Sequence, residues 1–351
     1  MTQPTTSSGY EHPSGPVADA FGQRIAAREE RDLSPLATRS YPQTRATPEA
    51  GCGLRTPFQR DRDRIVHCKA FRRLKYKTQV FVAPLGDHYR TRLTHTLEVT
   101  QVSRTVARAL GLNEDLTEAI GLGHDLGHSP FGHVGEDALD RCLQERFQTG
   151  FRHYEQSLRI VDVLERDGAG LNLTEPVRDG IVSHSGRSAE PATLEGRIVR
   201  LVDRFAYINH DIDDAVRAGV LSAGDLPAEP IAVLGPTGQR RIDMLVHDLV
   251  EHSDAAGDIV QSRRVGEAMA QLRAFMFEHV YLGPVATREH VKINIVIRSL
   301  VDHYCAHPEE MSESIPGGAL ATRVTDYLAG MTDRFCIRAF EQLTVPVSFE
   351  P

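Results

Sequence analysis

Residues 1–54 carry little apolar periodicity and much Pro, Ser, Thr and Gly, the composition of a mobile arm rather than of a packed element. Within the arm, the stretch 31–54 holds Leu33, Leu36 and Tyr41, enough apolar content to dock on the body or on another subunit. From Pro57 the pattern turns helical. Proline suits a first helical turn, and Phe58, Ile65, Val66, Phe71 and Leu74 recur at helical spacing. Thr78–Val82 is short and β-branched and precedes the turn Pro84-Leu85-Gly86-Asp87, so a small β-hairpin is expected over 78–91. A helix over 95–110 follows, with Leu97, Val102, Val106 and Leu110 inward and Gly111 as its stop. Asn113 caps another, reaching Leu126, with Leu116, Ala119 and Ile120 inward. The run Ser129-Pro130-Phe131-Gly132 breaks the chain, and Leu139/Leu143 and Leu158/Val161/Leu164 mark two further helices. Thr174 caps a helix carrying Val177 and Ile181. The longest helix is read over 193–218, its stripe being Leu194, Ile198, Leu201, Val202, Phe205, Ile208 and Ile212, and Gly219 ends it. A Pro/Gly-rich connection over 221–240 leads to helices over 241–282, 288–306 and 319–343. The fold class is all-α, with no internal repeat. A core over 55–220 is expected, with a helical region over 221–351 completing the same globule and making subunit contacts.

Composition narrows the class. Of 351 residues, 40% are hydrophobic and 25% charged, ordinary for a globular protein. No apolar run approaches the roughly 20 residues that cross a bilayer, and the N-terminus lacks the pattern of a secretory signal. Cys52, Cys68, Cys142, Cys305 and Cys336 are scattered and form no CxxC pair, so neither a disulfide framework nor a thiolate zinc site is indicated and a reducing cytoplasm is the simplest location. A net charge of −8 argues against a surface adapted throughout to nucleic acid. Yet between Arg55 and Lys77 nine Lys/Arg face two acids. That local excess is met by solvent, by an anionic partner or by an acidic neighbouring subunit.

The chemistry concentrates in His124-Asp125-Leu126-Gly127-His128-Ser129-Pro130-Phe131-Gly132-His133, three histidines and an aspartate within ten residues at the end of an apolar helix. A lone histidine on an apolar face is usually a satisfied core residue; this cluster is not explained that way. Burying His124 beside Asp125 is costly unless a cation or hydrogen-bond partners compensate. A divalent metal does so directly, taking imidazole and carboxylate together. Two more ligand candidates lie on neighbouring helices: His95 between Leu93 and Leu97, and Asp203 between Val202 and Phe205. Asp203, Tyr207 and Asp211 stand at i, i+4 and i+8, one helix face with about 6 Å of rise between each.

Five motifs extend the pattern: RTPFQRDRDRIVHCKAFRRLKYKTQVF (55–81), RTRLTHTLEV (90–99), HDLGHSPFGHVGE (124–136), FRHYEQSLR (151–159) and LVDRFAYINHDIDD (201–214), with a weaker return near DYLAGMTDRF (326–335). In this order they resemble the HD-domain deoxynucleoside triphosphate triphosphohydrolases, in particular the bacterial dGTPase-like proteins. Ser129 stands where many relatives have Pro, a departure that lies between the candidate ligands.

The resemblance implies a helical HD fold and roles for single residues. His95, His124, Asp125 and Asp203 look like the ligands of one divalent metal ion per site, whether Mg, Mn, Fe or Zn. His128 looks like a phosphate contact, and His133 with Glu136 like an acid–base dyad, with His153 a further histidine of the same network. Arg92 looks like the arginine that holds the phosphates. Tyr207 and Asp211 look like readers of the deoxyribose, and Gln79 like a contact to the 3′-hydroxyl. The implied reaction converts a dNTP into deoxynucleoside and tripolyphosphate. The family also implies a homo-oligomer, tetramer or hexamer, a dNTP effector as well as substrate, and in some members single-stranded nucleic acid as a partner. Two other readings stay open on the residues alone. One is an HD phosphodiesterase or nucleotidase with other products, the other a nucleotide-sensing or nucleic-acid-binding protein with a vestigial site.

Overall fold

Side-chain caps mark where the helices start. In the computed structural model, which describes residues 15–79, 90–311 and 318–346, Thr56 opens α2 (Pro57–His67) with a capping box to Gln59, followed by the short α3 (Lys69–Arg73). Thr91 caps α4 (Arg92–Ala109), Asn113 caps α5 (Glu114–Gly123) and Thr193 caps α9 (Leu194–Arg217), each accepting from a backbone N–H in the first turn. Between them lie α6 (Gly132–Phe147), α7 (His153–Arg159) and α8 (Glu175–Ser183). Thr174 occupies the expected cap position of α8, but its hydroxyl donates to Asp61 Oδ2 at 2.6 Å instead of capping. Among the described residues there is no sheet, only the isolated bridges Arg45–Thr174 and Thr78–Thr91. The second stands at the base of the expected hairpin, whose residues 80–89 lie outside the described ones.

The described part of the 1–54 arm differs from the mobile segment expected. Pro16–Asp32 form a helix, α1, which buries none of its residues. Beyond it the chain is held to the body by polar contacts that an apolar search does not register. Thr38 donates from both its N–H and its hydroxyl to the Glu195 carboxylate at 2.9 Å, Ser40 is fully buried, and Arg45 pairs with buried Asp61. Leu36, expected to dock, is exposed.

Two apolar clusters organise the rest. The larger joins α2, α4, α5, α8 and α9 through Phe58, Ile65, Val99, Leu116, Ile120, Ile181, Ile198 and Val202, and extends to α10 (Ala228–Leu234), α11 (Gly238–Ala256) and α12 (Arg263–Met276). The smaller packs α6 against α13 (Pro284–Ala306), α14 (Leu320–Ala329) and α15 (Asp333–Thr344) through Leu139, Leu143, Ile297, Leu300 and Leu328. Each such side chain contributes about 1.5–3 kcal/mol. Two long helices expected from sequence are broken. The stretch 241–282 divides where Gly257 takes φ 66°, and 319–343 divides before the Thr332 cap of α15. The expected connection over 221–240 contains α10.

The turn from α5 to α6 carries the histidine cluster, and two features fix its path. A Cβ at Gly127 would lie 2.2 Å from Ser157 N and 2.3 Å from His153 O, so only glycine lets the turn lie against α7. Phe131 adopts φ 63°, a left-handed conformation unfavourable for a side-chain-bearing residue, while its N–H donates to Asp333 Oδ1 at 3.0 Å.

Candidate active site

Three helices bring four of the predicted residues together. His95 comes from the first turn of α4, His124 and Asp125 from the end of α5, and Asp203 from the third turn of α9. His95 Nε2 lies 3.0 Å from Asp203 Oδ1, and His124 Nε2 lies 3.8 Å from the same oxygen. Asp125 Oδ1 stands 3.5 Å from His124 Nε2, and its Oδ2 stands 3.9 Å from His95 Nε2. His124 Nδ1 lies 2.7 Å from the Gly121 carbonyl, an acceptor, so that nitrogen carries the ring proton. The lone pair at Nε2 is left facing the carboxylates, buried and without a hydrogen-bond partner among the described residues. Burial would raise the Asp203 carboxyl, but the His95 hydrogen bond and the neighbouring His124 and His95 rings outweigh it and hold it well below the usual range. At Asp125 burial is likewise overcome, by His124, Arg92 and His95.

Arg92 is buried beside this cluster rather than reaching outward. Its Nη1 donates to Asp125 Oδ2 at 2.9 Å, while Nε and Nη2 are enclosed and lack partners among the described residues. A second group continues from it. His133 Nδ1 lies 3.2 Å from Glu136 Oε2, and the same carboxylate receives His153 N at 3.1 Å and faces His153 Nδ1 at 2.8 Å. Glu136 is buried whereas the His133 side chain is 72% exposed, so the dyad has one sheltered and one open end. Burial would raise Glu136, but hydrogen bonds from His133 and His153 hold it far below the carboxylate range. His128 stacks on His153 with ring centroids 4.0 Å apart, and burial, then the nearby Arg92 and His153 charges, push it well down.

On α9, Tyr207 and Asp211 continue the face that begins at Asp203. Arg273 Nε donates to Tyr207 Oη at 2.8 Å, and Tyr281 donates its hydroxyl to Asp211 Oδ2. Among the described residues Asp211 Oδ1 has no partner, and burial pushes the carboxyl up to about 7. Gln79 also keeps its Oε1 buried and unpartnered.

Five participants escaped the sequence reading. His184, at the end of α8, places its Nε2 3.2 Å from that of His153, and burial and the charges of His124 and His153 push it down to about 3. Its signal was present: like His124, it closes an apolar helix. Arg273 and Tyr281 come from the C-terminal region and carry no motif. Asp333 accepts from Thr78 N at 2.9 Å and from Phe131 N, and buried Lys77 donates to the carbonyls of His128 and Ala329. The basic segment around it is largely answered from within the chain. Arg60 and Arg64 converge on Glu49, and Arg62 pairs with Asp63 and Glu118. Arg55, Arg60, Arg64 and Arg166 line a cavity of about 340 Å³ on that side, among residues distinct from those of the histidine cluster.

Residues 92–208 match the HD domain, and 259–342 match the phosphohydrolase-associated domain. The helical fold with its paired histidine and aspartate groups is thus that of an HD phosphohydrolase. A deoxyguanosinetriphosphate triphosphohydrolase-like protein of Caldanaerobacter subterraneus subsp. tengcongensis is 51% identical, the alignment covering 91% of this chain and 94% of the relative. Proteins of the same description from Desulfatibacillum aliphaticivorans and Clostridium perfringens are 45% identical over 92% of this chain and 98% of theirs, and 48% identical over 84% and 88%. The chain belongs to the family of deoxyguanosinetriphosphate triphosphohydrolase-like proteins. Among its described residues no helix is long and apolar enough to cross a membrane.

Proposed function

We propose that this chain hydrolyses deoxynucleoside triphosphates, dGTP among them, to deoxynucleoside and inorganic tripolyphosphate. The reading assigns a divalent ion (Mg, Mn, Fe or Zn) to His95, His124, Asp125 and Asp203. The donor set suits one: two imidazoles and two carboxylates converge, and the buried His124 Nε2 has no partner of its own. When bound, such an ion supplies Lewis-acid stabilisation of a phosphate oxygen and lowers the pKa of water.

The remaining work falls to the protein. Arg92, fixed by Asp125, has enclosed N–H groups left to donate to phosphate oxygens. His128, kept neutral by burial, offers a further polar contact there. The leaving deoxynucleoside oxygen needs a proton, and His133 gives it, its ring oriented by Glu136 with His153 on the same carboxylate. Asp211 and Gln79 each keep a buried acceptor atom without a partner, suited to sugar hydroxyl donors, and Tyr207 crowds a 2′-hydroxyl. The observation that carries the reading is the single face of α9, on which Asp203 is followed by Tyr207 and Asp211. One helix thereby ties phosphate chemistry to sugar recognition.

The test incubates metal-replete protein with each dNTP, alone and in mixtures, and follows deoxynucleoside and tripolyphosphate by chromatography. Equal release of both supports the reading; orthophosphate from monophosphates with no tripolyphosphate from any dNTP overturns it. The mixtures also reveal a dNTP effector. By the same family likeness the working form is a cytoplasmic homo-oligomer, tetramer or hexamer, which sedimentation tests.

A further inference from the structure

Of the two predicted ligand histidines, only His124 is anchored at its outer nitrogen among the described residues. Its Nδ1 meets the Gly121 carbonyl at 2.7 Å while Nε2 faces the carboxylates. His95 turns its Nε2 towards Asp203 at 3.0 Å, but its Nδ1 is buried and has no hydrogen-bond partner among the described residues. Once Nε2 gives its lone pair to an ion, the ring proton sits on Nδ1, and a metal-bound histidine almost always donates that proton to an acceptor. An N–H left without one in a dry interior is costly.

His210 presents the complementary deficit. Its Nε2 lies 2.7 Å from Glu98 Oε2, a carboxylate that only accepts, so that nitrogen carries the proton. Its Nδ1 is then a lone pair, and it too is buried without a partner among the described residues. The His95 and His210 rings meet at 85° with centroids 5.9 Å apart. Asp203 and His210 stand seven residues apart on α9, two turns along one face. A single helix thus sets a carboxylate at His95 Nε2 and an imidazole beside the same ring. Arg90 steadies the far end, its Nε donating to Glu98 at 3.3 Å and its guanidinium lying 3.6 Å from Asp214.

We propose that His210 is a positioning residue for the metal site: it accepts the Nδ1 proton of His95, and Glu98 with Arg90 holds it in the tautomer that does so. The role rests on the metal-site reading given above, since it acts through His95 alone. The χ2 torsion of histidine is soft, so the His95 ring can settle onto this contact when its Nε2 is engaged. Anchored in that way, His95 keeps its lone pair aimed at the space before Asp125 and Asp203, as His124 does through Gly121.

The test measures metal affinity and needs no turnover. Full-length protein is stripped with chelator and titrated with Mn²⁺, the free ion being read by electron paramagnetic resonance. Asp203→Ala marks which bound ion belongs to the site. In His210→Phe, which keeps a ring but has no nitrogen, that ion is expected to bind about 10–100-fold more weakly, with native circular dichroism. His210→Gln, whose amide can accept from His95 and donate to Glu98, is expected to recover most of the loss. Unchanged affinity in folded His210→Phe overturns the proposal. So does a His210→Gln variant as weak as His210→Phe, a result that gives His210 a packing role alone. Should His210→Phe fail to fold, Glu98→Gln decides, since it frees the tautomer of an intact His210: a loss of roughly tenfold is expected, and wild-type affinity overturns the proposal. Loss of the ion in Asp203→Ala beside unchanged affinity in His210→Phe removes this role alone. Wild-type Mn²⁺ binding by Asp203→Ala removes the metal-site assignment and this role with it.

Discussion

Asp211 is a carboxyl that the fold buries without a matching charge, and replacing it by asparagine has a calculable result. Among the described residues its acceptor Oδ1 is unpartnered, Oδ2 receives the Tyr281 hydroxyl, and the carboxyl is raised from 3.8 to about 7. A carboxyl raised on folding binds its proton more tightly in the native state, so its contribution is fully favourable only below the unfolded pKa. Stability falls as pH climbs from 3.8 towards 7 and is level above that. A shift of about three units corresponds to roughly 4 kcal/mol at pH 8, of which only about 1.5–2 kcal/mol is already present at pH 5. Asp211→Asn keeps an acceptor for Tyr281 and removes the ionisation. On metal-free protein its stability advantage over wild type should therefore grow by roughly 2–3 kcal/mol between pH 5 and pH 8. Urea denaturation followed by circular dichroism at four pH values measures this directly. The functional half is a raised KM for dNTP, since an acceptor held ready for a sugar hydroxyl is replaced by a partial donor. A stability difference that stays flat across the range would refute the reasoning.

Other perturbations test the neighbouring parts. Glu136→Gln replaces an acceptor-only group that two histidines share with a partial donor, and kcat should fall about 100-fold or more while binding of a non-hydrolysable dNTP changes little; an unchanged kcat removes the dyad. Asp333→Ala removes the carboxylate that accepts from both the Thr78 and Phe131 N–H groups, at a cost of roughly 2–5 kcal/mol. For a chain of this size that is about 3–7 °C in Tm by scanning calorimetry, and a shift below about 1 °C contradicts it. Tyr207→Ala should raise turnover of ribonucleotides relative to deoxynucleotides in a competition assay, whereas an unchanged ratio assigns discrimination elsewhere.

The sequence was most legible where apolar periodicity and chemistry agreed. The stripe of α9 was read within a residue at each end, because Ile198, Val202, Phe205, Ile208 and Ile212 are all buried as the pattern requires. On α4 the pattern misled. Leu97 was expected inward but is 49% exposed, while Arg92, His95, Thr96 and Ser103 occupy buried positions. The first turn of that helix buries polar residues at the site while Val99, Val106 and Ala107 pack in the core further along, so hydrophobic periodicity fails where function displaces packing. The cluster of His95, His124, Asp125 and Asp203 could be assembled from sequence because each residue sits in a motif that gives it away. Arg273 and Tyr281 could not, since what makes each important is a neighbour brought from a distant part of the chain, whereas His184, closing an apolar helix, and Asp333, within 326–335, left a signal that did not show its partners.

That dependence runs furthest at Phe131. Its φ of 63° costs of order 1–3 kcal/mol for a residue with a side chain, and a group far outside the turn helps to hold it there. Asp333 does so, 202 residues away, accepting from the Phe131 N–H at 3.0 Å while also binding Thr78. Lys77 ties the same turn to the end of α14 through the carbonyls of His128 and Ala329, and Asp326 of α14 receives Arg159 at 2.7 Å and Gln156 at 3.0 Å from α7. The positions of His128 and His133 are thus set by carboxylates and carbonyls of the C-terminal helices. Arg273 and Tyr281 reach Tyr207 and Asp211 from that same part of the chain. A chain ending at residue 220 would keep all four predicted metal-ligand residues yet lose the groups that hold the turn and that bind Tyr207 and Asp211. The histidine motif supplies donors, and the C-terminal helices fix where those donors point.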